Sequence, residues 1–150
     1  MMKFSEITEK DWTDLQPYLD TCLLPVTGLG GGETPWEAGD ALESLRDVLD
    51  VLEIPYKGRV VTYPALHYCT SEDRDREYVE RTCGQLRKAG FAYVVVVTAH
   101  PEIGAWQLQN ADLIVYLSPE AVRNPGQEAK KAIGERIEQL WFLKKSEEIR

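Results

Sequence analysis

Four short apolar runs along the chain predict β-strands: Thr21–Thr27, Arg59–Ala65, Phe91–Thr98 and Ala111–Leu117. The third run is almost continuous in β-branched and aromatic residues, which is typical of a strand buried on both faces of a parallel sheet. We therefore expect Val94, Val95 and Val96 to be fully buried. Pro25 and Pro64 come late in the first two runs, where they predict strand ends or an irregular edge.

Apolar residues that recur every three or four positions predict helices between the strands. The clearest helix begins at Thr34-Pro35-Trp36-Glu37, a capping box with proline at the first helical position. Its apolar stripe, which includes Leu45, extends it over Pro35–Leu52. The other expected helices are Glu9–Gln16 capped by Thr8, a helix capped by Thr70 or Ser71 that ends at Ala89 before Gly90, Ile103–Gln109, and a last helix opened by Asn124-Pro125-Gly126-Gln127.

Strands that alternate with helices indicate a parallel sheet between two helical layers. The predicted fold is a three-layer α/β/α arrangement with a mainly parallel four-stranded sheet of strand order 2-1-3-4, in one α/β domain over residues 1–150. In such sheets, binding sites form where loops leave the carboxyl ends of the strands. Any site is therefore expected in the loops after residues 27, 65 and 98.

Composition narrows the class of protein. The 150 residues include 17 basic and 25 acidic side chains, a formal net charge of −8, which argues against general binding to nucleic acid. No run of about 18 apolar residues predicts a membrane span, and residues 1–6 lack the apolar segment of a secretory signal. The three cysteines, Cys22, Cys69 and Cys83, show no CxxC spacing and are typical of reduced thiols in the cytoplasm.

The distribution of charge and apolar surface bears on partners. Residues 1–54 carry 3 basic and 12 acidic side chains, whereas residues 120–150 carry 7 and 6. The acidic half either orients a charged partner or simply reflects solvated helix faces. The thin apolar face of residues 72–88 and the run Trp141-Phe142-Leu143 predict a homodimer. No feature identifies a protein or small-molecule partner.

The loop Gly28–Glu33 is rich in glycine and lies between a strand and a helix. Such a loop can hold a phosphate group at a helix N-terminus, yet neither the GxGxxG fingerprint nor a Walker A motif is present. The other interpretation is a connection in which glycine lets the chain pass close to a neighbouring segment.

The segment Thr98-Ala99-His100-Pro101-Glu102 ends the third strand. Residues two apart in extended chain point the same way, so His100 and Glu102 can face one crevice as metal ligands or as a base with its orienting acid. The alternative is a histidine hydrogen-bonded at the strand end, with Glu102 as an acid in the first turn of the next helix. Cys69 can pair with His100 as a nucleophile, but an inert buried thiol is the expected state.

Four segments resemble motifs of the creatininase-like amidohydrolases over residues 21–117. Leu24-Pro25-Val26-Thr27-Gly28 is similar to the opening strand, and Ala38-Gly39-Asp40-Ala41-Leu42 to the aspartate segment at a helix start. Tyr63-Pro64-Ala65-Leu66-His67-Tyr68 is similar to the proline-rich segment. The segment that contains His100 and Glu102 is similar to the strand end that carries a histidine and a glutamate ligand.

The resemblance implies a metal site made of Asp40, His100 and Glu102. These three remain of a five-ligand, two-metal site, because Leu29-Gly30-Gly31 stands where the family has a Glu-x-His pair. Two carboxylates and an imidazole suit zinc or manganese, but the missing ligands predict an empty or weakly occupied site and no resident cofactor. The implied function is a non-catalytic relic that acts as a binding or assembly module. The alternative is a single-metal amidohydrolase that uses the same three residues.

Two further segments resemble the YpiF-type family of small uncharacterised proteins from Bacillus relatives. They are Tyr18-Leu19-Asp20-Thr21-Cys22-Leu23-Leu24-Pro25 and Lys57-Gly58-Arg59-Val60-Val61-Thr62-Tyr63-Pro64. This resemblance implies a shared fold and leaves the function open.

Overall fold

The computed structural model describes residues 4–123 and 127–149. After a 3₁₀ turn at Phe4–Glu6, the elements in chain order are α1 (Glu9–Leu15), β1 (Thr21–Val26), α2 (Pro35–Glu53), β2 (Val60–Thr62), α3 (Asp73–Lys88), β3 (Tyr93–Thr98), α4 (Pro101–Gly104), β4 (Leu113–Tyr116), α5 (Pro119–Arg123) and α6 (Gln127–Ile149). Each of the four predicted strands is present and is shorter than the apolar run that predicted it.

The four strands form one parallel sheet. Their order is β2-β1-β3-β4, and every neighbouring pair is parallel. The longest pairing joins β1 to β3 from Thr21↔Tyr93 to Val26↔Thr98. Both the predicted strand order and the three-layer α/β/α class are confirmed.

Two apolar clusters fill the space between the sheet and its helices. On one face, α2, α5 and α6 pack against alternate strand residues, with Leu45, Ile133 and Ile137 among the buried side chains. On the other face, α1, α3 and α4 do the same. The predicted core residues are confirmed, because Leu45 is 3% exposed and the side chains of Val94, Val95 and Val96 are fully buried.

Helix starts follow the predicted capping signals where a hydroxyl is free to cap. Thr34 and Glu37 form the capping box of α2, with Pro35 in its first turn. Thr8 and Asp11 form that of α1. At the other end of α3, Gly90 has a φ of +118°, a conformation that favours glycine and ends the helix there.

Two predicted helix starts are wrong. The N-cap of α3 is Glu72 and makes no side-chain capping bond, because the backbone N–H and hydroxyl of Thr70 both donate to the Asp75 carboxylate. The helix expected over Ile103–Gln109 is instead Pro101–Gly104, since His100 caps it and proline takes the first position. The predicted opening of α6 at residues 124–126 lies outside the described residues.

Trp141 fixes α6 to the start of the sheet. Its indole Nε1 donates to Thr21 Oγ1 at 2.9 Å, and the Arg59 guanidinium lies 4.0 Å from its ring centroid. Arg59 in turn forms a bidentate ion pair with the Asp20 carboxylate, with hydrogen bonds of 2.9 and 3.0 Å. Trp141 is therefore core, and Phe142 is the exposed neighbour, at 69%. The homodimer stays a prediction.

Truncation of Leu45 is expected to destabilise the fold more than truncation of Leu42 on the same helix. Leu45→Ala removes a buried side chain between α2 and the sheet and should lower the free energy of unfolding by about 2–5 kcal/mol. Leu42 is 42% exposed, so Leu42→Ala should cost only about 0.5 kcal/mol. Urea titration of both variants measures the difference, and equal losses would contradict the packing of α2 described above.

Candidate functional site

The edge strand β2 leaves its ladder at the carboxyl edge of the sheet. The Tyr63 N–H donates to the Leu23 carbonyl at 3.0 Å, and the next bond along β1 runs from the Leu66 N–H to the Pro25 carbonyl at 2.9 Å. A regular parallel ladder would use residue 65 here, so one extra residue bulges out beside Pro64. Pro25, which has no N–H, faces this gap. The irregular edge predicted from the two prolines is confirmed.

The bulge brings His67 alongside the loop that follows β1. The Thr27 N–H donates to the Leu66 carbonyl at 3.1 Å, and the Leu29 N–H donates to the His67 carbonyl at 2.9 Å. The side chains also meet, with Thr27 Oγ1 2.8 Å from His67 Nδ1. Because Thr27 is 6% exposed, its hydroxyl is placed to orient the imidazole rather than to attack a substrate.

The imidazole of His100 covers the backbone of Gly28. A Cβ on Gly28 would lie 2.6 Å from His100 Cδ2, and Gly28 has a φ of +91°. His100 Nδ1 accepts the Ile103 N–H at 3.4 Å, and the His100 N–H donates to Thr98 Oγ1 at 3.0 Å. These contacts support the second interpretation of the glycine loop, a close approach between neighbouring segments. They also give His100 the role of a hydrogen-bonded residue at the strand end.

The glycine loop holds an anion that belongs to the chain itself. The N–H groups of Gly30 and Gly31 donate to the two carboxylate oxygens of Glu33 at 2.7 and 2.9 Å. These bonds, that of Gly30 above all, hold the pKa of Glu33 below its ordinary value of 4.5. The backbone N–H groups that would donate to a phosphate group are thus already hydrogen-bonded to the Glu33 carboxylate.

The three residues of the predicted metal site are in different surroundings. His100 and Glu102 share the turn that opens α4, and a Glu102 oxygen accepts the Ser71 hydroxyl at 2.6 Å. Asp40 lies exposed on α2, and no hydrogen bond or ion pair joins it to either. Within the described residues, no group of three or more His, Cys, Asp or Glu side chains is arranged to hold a metal ion.

The cysteine thiols are poor nucleophiles. All three are unpaired and buried. Burial, with a smaller effect of the nearby Asp75 charge, raises the pKa of Cys69 to about 11. Burial also raises the pKa of Cys83 to about 12. Since the thiolate is the reactive form, this chemistry supports an inert Cys69 and not a nucleophile paired with His100.

A groove of about 1000 Å³ lies between the second half of α2 and the first half of α6, away from these loops. Its apolar lining residues, which we call the floor of the groove, are Val51, Ile54, Pro55 and Tyr56. Sequence reasoning missed it, because its two walls come from helices far apart in the chain. Tyr56 and Glu138, which bond across it, are 82 residues apart. The one local signal is Ile54, an exposed isoleucine directly after α2.

The fold and the loops define a parallel α/β protein whose carboxyl-edge polar groups are largely bonded to one another. Residues 10–146 match the family described as "Protein of unknown function (DUF2487)", and the chain belongs to this family. No curated protein and no solved structure matches the chain. Across residues 4–123 and 127–149, no helix is both long enough and apolar enough to cross a membrane. The YpiF-type and creatininase-like resemblances stay predictions.

A side chain at Gly28 is expected to be far more damaging than one at Gly31. Both glycines have positive φ, but a Cβ at Gly31 meets no atom within 4 Å. Gly31→Ala should therefore cost about 1 kcal/mol of backbone strain, and Gly28→Ala more than about 2 kcal/mol because strain and collision with His100 add. Adding His100→Ala to Gly28→Ala should restore part of the loss in urea titrations. Equal losses at the two glycines would show that the close contact is absent.

The NMR chemical shifts of the Gly30 and Gly31 amides are expected to follow the titration of the Glu33 carboxylate that they bind. Its pKa in the folded state is lowered, so its contacts stabilise the fold above pH 4.5 and are lost as the pH falls through the folded-state pKa. NMR should show the Gly30 and Gly31 amide shifts changing with one midpoint below 4.5. Glu33→Gln should abolish that change, and a midpoint above 4.5 would contradict the assignment.

Proposed function

We propose that this chain is a non-catalytic binding module that keeps the layout of a creatininase-like hydrolase. The observation that carries the proposal is the internal pairing of the polar groups at the carboxyl edge of the sheet. An enzyme of this fold class works with groups at that edge that are free to contact substrate.

The internal pairing covers the loops after β1, β2 and β3. The amides of Gly30 and Gly31 are hydrogen-bonded to the Glu33 carboxylate, and the Thr27 hydroxyl is hydrogen-bonded to the His67 imidazole. Ser71 is bonded to Glu102. Each of these bonds would have to break before the group could act on a ligand, and each broken bond would cost free energy.

The layout supports the creatininase-like part of the proposal. The segment Leu24-Pro25-Val26 lies at the carboxyl end of β1, and the proline-rich segment after β2 runs beside it. His100 and Glu102 follow β3 directly. These are the relative positions that the resemblance implies for the opening strand, the proline-rich segment and the ligand loop.

A single-metal amidohydrolase would need a different arrangement of the same residues. Glu102 would have to release the Ser71 hydroxyl, and the exposed Asp40 would have to turn toward the start of α4. His100 would bind through Nε2, because Nδ1 accepts the Ile103 N–H. Zinc or manganese is the metal that this donor set would take.

Metal analysis separates the two functions. Protein purified without chelators or a histidine tag is expected to contain no stoichiometric zinc or manganese. Calorimetric titration with either ion should give no one-to-one binding, and amide hydrolysis should be absent with either ion added. Binding of one equivalent that is lost in both His100→Ala and Glu102→Ala, but kept in the exposed control Glu43→Ala, would contradict the proposal in favour of the hydrolase.

A further inference from the structure

We infer that the groove between α2 and α6 binds a basic amphipathic helix of a partner protein. The inference rests on the proposed function, because it names what the binding module binds. The floor of the groove is apolar, and Ile54 within it is 68% accessible to solvent. Contiguous exposed apolar surface framed by charged residues is typical of an interaction site.

The size and shape of the groove suit a helix better than a small molecule. Its volume of about 1000 Å³ is at the top of the ~300–1,000 Å³ range of small-molecule pockets. Its walls are two helices, and an amphipathic helix docks in such a groove through apolar side chains at positions i, i+3, i+4 and i+7.

The spacing of the two walls is set before any partner arrives. The Tyr56 hydroxyl donates to Glu138 at 2.9 Å and lies 3.5 Å from the Gly134 carbonyl oxygen. A Cβ at Gly134 would lie 3.1 Å from that hydroxyl, so glycine permits the close approach. Because these contacts already fix the two walls, less conformational entropy is lost when a partner binds.

The rim of the groove selects a basic partner. Among the residues whose side chains the structure describes, the charged lining that forms this rim has five acidic side chains and two lysines, which are Asp47, Asp50, Glu128, Glu135, Glu138, Lys130 and Lys131. Only Asp50 has an ion-pair partner among the described residues, the exposed Arg46 at 3.6 Å, and such a pair is weak. The excess acidic charge would attract lysine or arginine side chains beside the apolar face of a helix.

The same charge argues against other occupants. A symmetric dimer through this groove would place one acidic rim on an identical one, and like charges in contact are unfavourable. An anionic lipid surface would be repelled for the same reason. A basic segment of another protein is the occupant that satisfies both the apolar floor and the acidic rim.

The test uses a designed peptide of about 18 residues, five helical turns, with leucines at i, i+3, i+4 and i+7 and lysines beside them. A second peptide replaces every lysine by glutamate. Fluorescence anisotropy with the full chain is expected to show saturable binding of the lysine peptide that weakens with salt, and none of the glutamate peptide.

Matched variants locate the binding site. The double variant Asp47→Lys with Glu135→Lys should weaken binding of the lysine peptide about tenfold, a loss of ~1.4 kcal/mol. The control pair, Glu43→Lys with Glu77→Lys, changes the net charge by the same amount at exposed positions outside the groove and should have little effect.

The apolar floor has its own pair of variants. Ile54→Ser is expected to weaken binding, whereas Leu42→Ser, at an exposed leucine of α2 outside the groove, should not. All variants are first checked for unchanged thermal unfolding.

The inference fails if the lysine peptide does not bind, or if groove and control variants weaken it equally. A failure of that kind leaves the metal analysis untouched. Stoichiometric metal at His100 and Glu102 would instead overturn the proposed function, whatever the peptide does.

Discussion

Six consecutive residues of β1 pair in register with six residues of β3, and every side chain in both strands is buried. This pairing fixes the directions in which the chain leaves the two strands at one edge of the sheet. The contact between Gly28 and His100 follows from it, because each residue lies two positions beyond its strand. β1 also holds β2 on its other side, so the loops after three strands are positioned by one central element.

The consequence for chemistry is that many polar groups at this edge are hydrogen-bonded to one another. Glu33 is bonded to amides of its own loop, and Ser71 is bonded to Glu102 across two loops. A doubly covered parallel sheet usually offers its ligand site at this edge. In this chain, the groove between α2 and α6 combines apolar and acidic residues.

The parts of the fold that sequence predicted are those with a repeating or local signal. The apolar run around Val94–Val97 and the stripe of α2 are periodic, and the cap at Thr34 is complete within four residues. The start of α3 was missed because Thr70, a good capping residue by type, bonds to Asp75. The groove could not be predicted, since its shape depends on the angle at which α6 crosses α2.

In the candidate site too, individual residues could be predicted from the sequence, whereas the contacts between them could not. Sequence singled out Gly28 and His100 separately, and the close contact between them depends on the β1–β3 register. It placed Glu33 next to a glycine-rich loop but did not predict that the carboxylate would bond to the amides of that loop. Asp40 entered only through a resemblance, and its exposed position on α2 reflects the helical period of the residues around it.

The bond between Trp141 and Thr21 spans 120 residues and bears on how the protein folds during synthesis. The ribosome releases β1 long before α6, so the side of the sheet that Ile133, Ile137 and Trp141 cover stays open until residues 133–141 have emerged. Apolar surface that stays uncovered until a later segment is synthesised is prone to aggregation. Slow translation of the last helix would lengthen that interval, and a chaperone that shields this face would shorten the time it is exposed to other chains.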